Sequence, residues 1–403
     1  MVSTPAAAAP AERPGRGWLM LVAALLVNLP TGTLYAFSVF IRHYEQALQV
    51  GRAELSATLF SLAAIGYCAG MLMGPLAYRL ARPGTLVLGF GAVIASGWAL
   101  AAVAPSLAVL GVAYGVLFGF GGGLVYSTLA QVVNLSLPVH RRGVGNGILV
   151  ASFSAGAMLL APVCAWSLAS FGLAATLLGM AAATLAACVA AAMLVRGSGI
   201  TLENAAPLIG RGGGGQPSWV FALLWLGFAL GASAGLMSLS QAAVIVAAYG
   251  GALAQSVFGT ATVAGAATLG RVVGGLLVDY LPARGVIIGA QGLGAASLVA
   301  LLLWPSPAMA VAGMSGACLG YGLLSGSYAA ALVRYYGPQM FGRMTGRFYT
   351  AWGAAALLGP AVAGLVFDRT GGYAVAVACA AAGMALGGAL SLALPRVPAP
   401  ART

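Results

Sequence analysis

All 18 basic side chains of this 403-residue chain are arginines, and one of them stands apart. In AGAATLGRVVGGLLVDY, residues 264–280, Arg271 falls in a run of small and apolar residues that reads as membrane-buried. On an α-helix it lies eight residues, about 12 Å, before Asp279 at the helix end, too deep to snorkel to that surface. A charge near mid-membrane costs roughly 3 kcal/mol even on lenient insertion scales. Its neighbours on the same helical face are Ala264, Ala267, Thr268, Gly274 and Gly275, none of them acidic. The six acids, Glu12, Glu45, Glu54, Glu203, Asp279 and Asp368, all fall in loops, in the tail or at helix ends. An unpaired buried guanidinium can hold a carboxylate through two parallel charge-assisted hydrogen bonds, so Arg271 is predicted to be an anion site. The alternative is an arginine satisfied by helix-end carbonyls or bent toward Asp279.

What must position that cation is a membrane bundle. Hydrophobic residues make up 61% of the chain and charged ones 6%, and apolar stretches of about 20 residues recur from end to end. Lipid offers the backbone no hydrogen-bond partners, so runs this long are helices and the fold class is an all-α membrane protein. Twelve spans are predicted, near 18–41, 55–78, 84–104, 106–134, 144–170, 172–195, 218–248, 253–280, 285–304, 307–333, 344–367 and 373–394. Residues 1–17 form a tail with no cleaved leader expected, and 395–403 a second tail. The net charge of +12 does not signal nucleic acid, because the arginines are scattered in short loops without a basic stripe or stacking aromatics. Cys68, Cys164, Cys188, Cys318 and Cys379 lie in hydrophobic segments as packing residues, with neither disulfide nor metal spacing. No catalytic motif is present, and no enzyme, cofactor or metal is expected. His43 and His140 sit in predicted loops.

The arginines also set the orientation. With the N-terminus inside, the cytoplasmic side carries Arg13, Arg16, Arg79, Arg82, Arg141, Arg142, Arg196, Arg211, Arg284, Arg334, Arg343, Arg347, Arg396 and Arg402. The outside carries only Arg42, Arg52 and Arg369. That bias places both termini in the cytoplasm, in a cytoplasmic (inner) membrane. The Gly-rich stretch 196–217 reads as a linker between two six-helix bundles, 18–195 and 218–394. The bundles look duplicated: Trp18 and Trp219 open them, and GPLAYRLARPG at Gly74 corresponds to GLLVDYLPARG at Gly275, both pairs offset by 201. Internal repeats of this kind point to a transporter.

Those two repeated segments resemble the signature loop of the major facilitator superfamily, Gly-x-x-x-Asp-Arg-x-Gly-Arg-Arg, in degenerate form. The first copy keeps Gly74, Arg79 and Arg82 but has Tyr78 where Asp is usual; the second keeps Gly275, Asp279 and Arg284 but has Tyr280 in place of Arg. Both glycines are expected where their helices approach the opposite bundle, and Asp279 near the start of a facing helix or a motif arginine. NLPTGTLYAFSVF (28–40), GGGLVYSTLAQVVNLSLPVHRRGVGNGI (121–148) and FYTAWGAAALLGPAVAGLVFDRTGGY (348–373) further resemble the oxalate/formate antiporter family, close to monocarboxylate transporters. The resemblance implies a carrier of small organic carboxylates in which the eighth-helix arginine binds the carboxylate and aromatic side chains shape the cavity.

With that resemblance, Tyr35, beside the helix break at Pro30 and Gly32, Tyr126 after GFGGG, and Tyr328 after GLLSGS become candidate cavity residues. Gln241 and Asn28 are polar groups in apolar surroundings, as well suited to interhelical glue as to substrate contact. Oxalate-type members often carry a Lys where this chain has Trp352, and this chain has no lysine at all. A single central cation leaves a dianion's second carboxylate uncompensated, so a lactate- or formate-like monoanion is favoured, with Trp352 walling a short apolar tail. A dicarboxylate antiporter and an exporter of lipophilic anions are the alternatives. Proton-coupled members commonly have an Asp one turn before the arginine, where this chain has Ala267. Proton symport, borne by the acid itself or by a rim group such as Glu54, and anion exchange therefore both stay open. The expected partners are the bilayer, a small carboxylate and either protons or a counter-anion, and the protein is expected to be a monomer.

Overall fold

A computed structural model describes residues 16–51, 54–55, 57–202 and 217–396, and these are helical throughout, with no strand among them. The expected tails and most of the linker lie outside the described residues. Ten spans are separate helices: Gly17–Ala36, Leu59–Ala77, Pro83–Ala102, Leu107–Ser136, Ser218–Ala248, Ala254–Tyr280, Ala283–Leu303, Pro307–Tyr336, Phe341–Phe367 and Ala374–Ser391. The remaining stretch, Arg142–Ser198, is 57 residues long and is broken at Gly172. There φ is 79° and ψ 179°, a conformation closed to residues with a Cβ, so the chain turns back and one stretch becomes the fifth and sixth spans. Twelve membrane-crossing helices result, in two six-helix bundles.

The first span, predicted over 18–41, breaks after Pro30 as its sequence suggests. Its α-helix, Arg16–Thr31, gives way to a tight turn at Gly32–Ala36 before a second helix, Ser38–Leu48. Pro30 withdraws an N–H, Thr33 bonds the Pro30 carbonyl at 2.6 Å, and Gly32 lies so close to the Phe153 carbonyl that a Cβ would fall 1.9 Å from it. The break turns Tyr35 inward.

Glycine contacts also set how the bundles meet. A Cβ on Gly275 would fall 2.3 Å from the Gly143 carbonyl oxygen and 2.8 Å from the Cα of Gly147, so helices 8 and 5 touch backbone to backbone across the seam. Gly74 does not do the equivalent. It faces Ser127 of helix 4 in its own bundle, where a Cβ would meet Oγ at 2.5 Å, and the seam of helices 2 and 11 is instead opened by Gly346 against the Met71 carbonyl. The expectation that both motif glycines face the opposite bundle is corrected for Gly74, because a glycine signals a close neighbour without saying which helix it is. Gly275→Val is accordingly expected to force the bundles apart, and Gly74→Val to overpack the first bundle at about 1–3 kcal/mol. Cross-linking between cysteines on helices 5 and 8 would fall in the former only, while thermal unfolding would report the latter.

Candidate functional site: a buried arginine at the seam

Helix 8 carries Arg271 to the seam, where it is 2% exposed. Its guanidinium carbon is 5.6 Å from the Tyr35 ring centroid and 5.4 Å from that of Tyr321. One ring belongs to each bundle, so the cation is held between the halves by contacts worth roughly 0.5–2 kcal/mol each. Neither ring replaces a hydrogen-bond acceptor: Nε and Nη1 find none among the described residues. The bend toward Asp279 is not made among the described residues: the carboxylate there is engaged at the start of helix 5. Its oxygens accept the backbone N–H groups of Gly143 and Val144, at 2.8 and 2.7 Å, in the first turn of helix 5. A carboxylate at a helix start is favoured by the dipole and by the unpaired N–H groups of that turn.

Around Arg271 is a void of about 30 Å³, room for about two waters. From the first bundle it is lined by Tyr35, Tyr67, Tyr126, Val150 and Phe153, and from the second by Phe228, Tyr321, Ser325, Tyr349 and Trp352. Most of the polar tips pair with one another or with backbone. Trp352 donates its indole N–H to the Tyr321 hydroxyl at 3.1 Å, and Ser325 bonds the Tyr321 carbonyl at 2.9 Å. The Tyr67 hydroxyl, like the two arginine nitrogens, has no partner among the described residues. A larger cavity of about 170 Å³ between helices 7, 11 and 12 has no charged lining residue, and Leu358 and Val362 on its wall are exposed toward lipid. Size therefore points away from the cation, and the chemistry of the seam carries the functional argument.

Of the residues singled out in the sequence, Arg271, Tyr35, Tyr126 and Trp352 come together here. Three others lie elsewhere. Tyr328 is fully buried within the second bundle, stacked on Phe348 at 5.2 Å, with its hydroxyl against Gly227. Asn28 ties helix 1 to helix 5, donating to the Leu149 carbonyl and to Ser152 Oγ, both at 3.0 Å. Gln241 lies about two turns before the end of helix 7, its Oε1 a long 3.5 Å from the Tyr373 hydroxyl at the start of helix 12. Among the motif residues, Arg79 and Arg82 are exposed, and Arg284 donates to the Leu394 carbonyl at 3.0 Å inside its own bundle. The cavity residues that sequence reasoning missed are chiefly aromatic, Tyr67, Phe153, Tyr321 and Tyr349 among them. Tyr321 and Tyr328 are two turns apart on one helical face, so periodicity identifies the face and leaves the depth open.

Two pseudo-repeated helical bundles enclosing a charged cavity at their seam define a transporter, not an enzyme. The sequence pattern of the Major Facilitator Superfamily matches residues 20–211. Monocarboxylate transporter 11 of Mus musculus is 30% identical over 427 residues, covering 98% of this chain and 90% of its own length. Monocarboxylate transporter 13 of Rattus norvegicus is 26% identical over 403 residues, covering 94% and 89%. The proton:xylose symporter XylE shares the fold with a TM-score of 0.71 at 15% identity, over 95% of this chain and 97% of its own. The chain belongs to the major facilitator superfamily, in its monocarboxylate transporter family.

Proposed function

We propose that this protein carries small monocarboxylates, of the size of lactate or formate, by alternating access around Arg271. The observation that supports this most directly is a guanidinium 2% exposed whose Nε and Nη1 have no acceptor among the described residues. Two of its donors thus lack an acceptor among the described residues and gain one when a carboxylate arrives. No second cation lines the cavity, so one carboxylate is compensated and a second would lose its water without a charged partner. A substrate larger than this void enters only as the side chains lining it turn aside. The cavity lining also contains no acid, which leaves a coupled proton to travel on the substrate itself or transport to run as anion exchange. The excess of arginines on one face assigns that face, and both termini, to the cytoplasm.

Thermal unfolding of the purified protein against a panel of anions tests the reading. A ligand bound only by the folded state stabilises it by about 2.7 kcal/mol at a hundred times its Kd. Formate, lactate and related short monoanions should raise the unfolding temperature in a saturable way, and oxalate less. Protection by bulky lipophilic anions alone would replace this reading with that of an exporter.

A further inference from the structure

One half of the degenerate loop motif keeps its acid and the other does not, and the structure shows what stands in for it. At the face where both described chain ends lie, Asp279 of helix 8 crosses the seam to the first turn of helix 5. Its counterpart at the repeat offset of 201 is Tyr78 on helix 2. The Tyr78 hydroxyl abuts Gly342 at the start of helix 11, yet its hydrogen bonds stay inside its own bundle, with the Ser127 carbonyl and Oγ, both at 3.1 Å. The crossing is made from helix 4. Gln131, 0% exposed, accepts the Gly342 N–H at 2.7 Å through Oε1 and donates Nε2 to the Pro338 carbonyl at 3.0 Å. Gly342 lies in the first turn of helix 11, which begins at Phe341, so the amide satisfies one of the N–H groups that every helix start leaves unpaired.

We infer that Gln131 is the second latch of this transporter, holding the terminal face closed at helix 11 as Asp279 does at helix 5. The exchange is reciprocal along the repeat. Where the first bundle has Tyr78 and Gln131, the second has Asp279 and, 201 residues after Gln131, the fully buried Leu332. Each bundle therefore supplies one acceptor for the opposite helix start, from a different helix. The two latches differ in kind: one is a carboxylate taking two N–H groups, the other a neutral amide that takes one and gives one. A neutral amide suits a desolvated seam, because it pairs a donor and an acceptor without burying a charge. Opening this face requires both to break, and Gln131 is thus a positioning residue for alternation that does not touch the carboxylate site.

The inference rests on the two-bundle architecture and not on the identity of the cargo, so it is tested on the empty protein. Spin labels at Arg82 and Tyr280, exposed on that face in opposite bundles, report its opening in a background lacking the exposed Cys379. Gln131→Leu, which installs the residue found at the counterpart position, should raise the ratio of long to short label distances by roughly tenfold, as loss of two buried hydrogen bonds implies. Gln131→Glu keeps the acceptor and the shape but loses the donor to Pro338, and should move the distribution the same way by less. It also keeps the test open if the leucine variant does not fold. Tyr78→Phe, which removes a hydroxyl bonded within its own bundle, should leave the distances where they are. Unchanged distances in a folded Gln131 variant, or an opening produced by Tyr78→Phe alone, would overturn the assignment.

Discussion

Arg271→Ala is expected to lower carboxylate uptake into proteoliposomes at least about 30-fold, since removing one partner of a buried, hydrogen-bonded charge pair costs at least ~2 kcal/mol. Arg271→Lys should fail almost as badly. Lysine keeps the charge but loses the planar fork that pairs with both carboxylate oxygens, and it fits poorly between the Tyr35 and Tyr321 rings that flank the guanidinium. The same argument sets a sign for stability. A buried cation with two unsatisfied donors destabilises the empty protein, so Arg271→Met should raise its unfolding temperature, by about 1 kcal/mol or more in free energy, while abolishing stabilisation by added anions. Melting curves with and without lactate read both effects. An Arg271→Met protein that is less stable than the parent, or still protected by lactate, would show that the arginine is a structural element of the seam.

The second large effect concerns selectivity. Trp352 is 4% exposed, faces the cavity, packs edge-on to Tyr35 with centroids 6.2 Å apart and bonds the Tyr321 hydroxyl. Trp352→Lys puts a second cation into the cavity that holds Arg271. Like-charge repulsion weakens the empty site, but a dianion then finds a partner for each carboxylate, so oxalate should gain on lactate by about tenfold or more. Trp352→Phe separates the two roles of the indole, since it loses the bond to Tyr321 without adding charge. It should weaken lactate transport modestly and leave the oxalate-to-lactate ratio unchanged. Competition of unlabelled oxalate against labelled lactate, in the parent and both variants, measures that ratio. A parent protein that already prefers oxalate would remove the basis of the charge count.

Some features of this protein were determined by its sequence alone. A backbone in lipid must satisfy itself, so length and apolarity are enough to specify twelve helices, and the repeat offset of 201 is enough to specify two related bundles. The membrane makes an isolated charge so costly that Arg271 stood out as a candidate before any neighbour was known. The break after Pro30 was legible as well, because a missing N–H and a missing side chain act locally.

Tertiary structure decided which helix each inward residue meets, and at what depth. Asn28, Gln241 and Tyr328 carry the right chemistry and lie at helix contacts, while Tyr67, Tyr321 and Tyr349 reach the void. A helical period of 3.6 residues gives the direction of a side chain but neither the partner helix nor the level at which two helices cross. Gly74 shows the same limit: its motif places it at a close contact, and only the packing shows that the contact is Ser127 of its own bundle. Gln131 shows it most fully. Its partners, Pro338 and Gly342, are more than 200 residues away, and a single buried glutamine in an apolar helix carries no sign of them. The two bundles are specified by local physics and by repetition, whereas the bonds that join them depend on which backbone groups are left unpaired at the seam once the bundles have met.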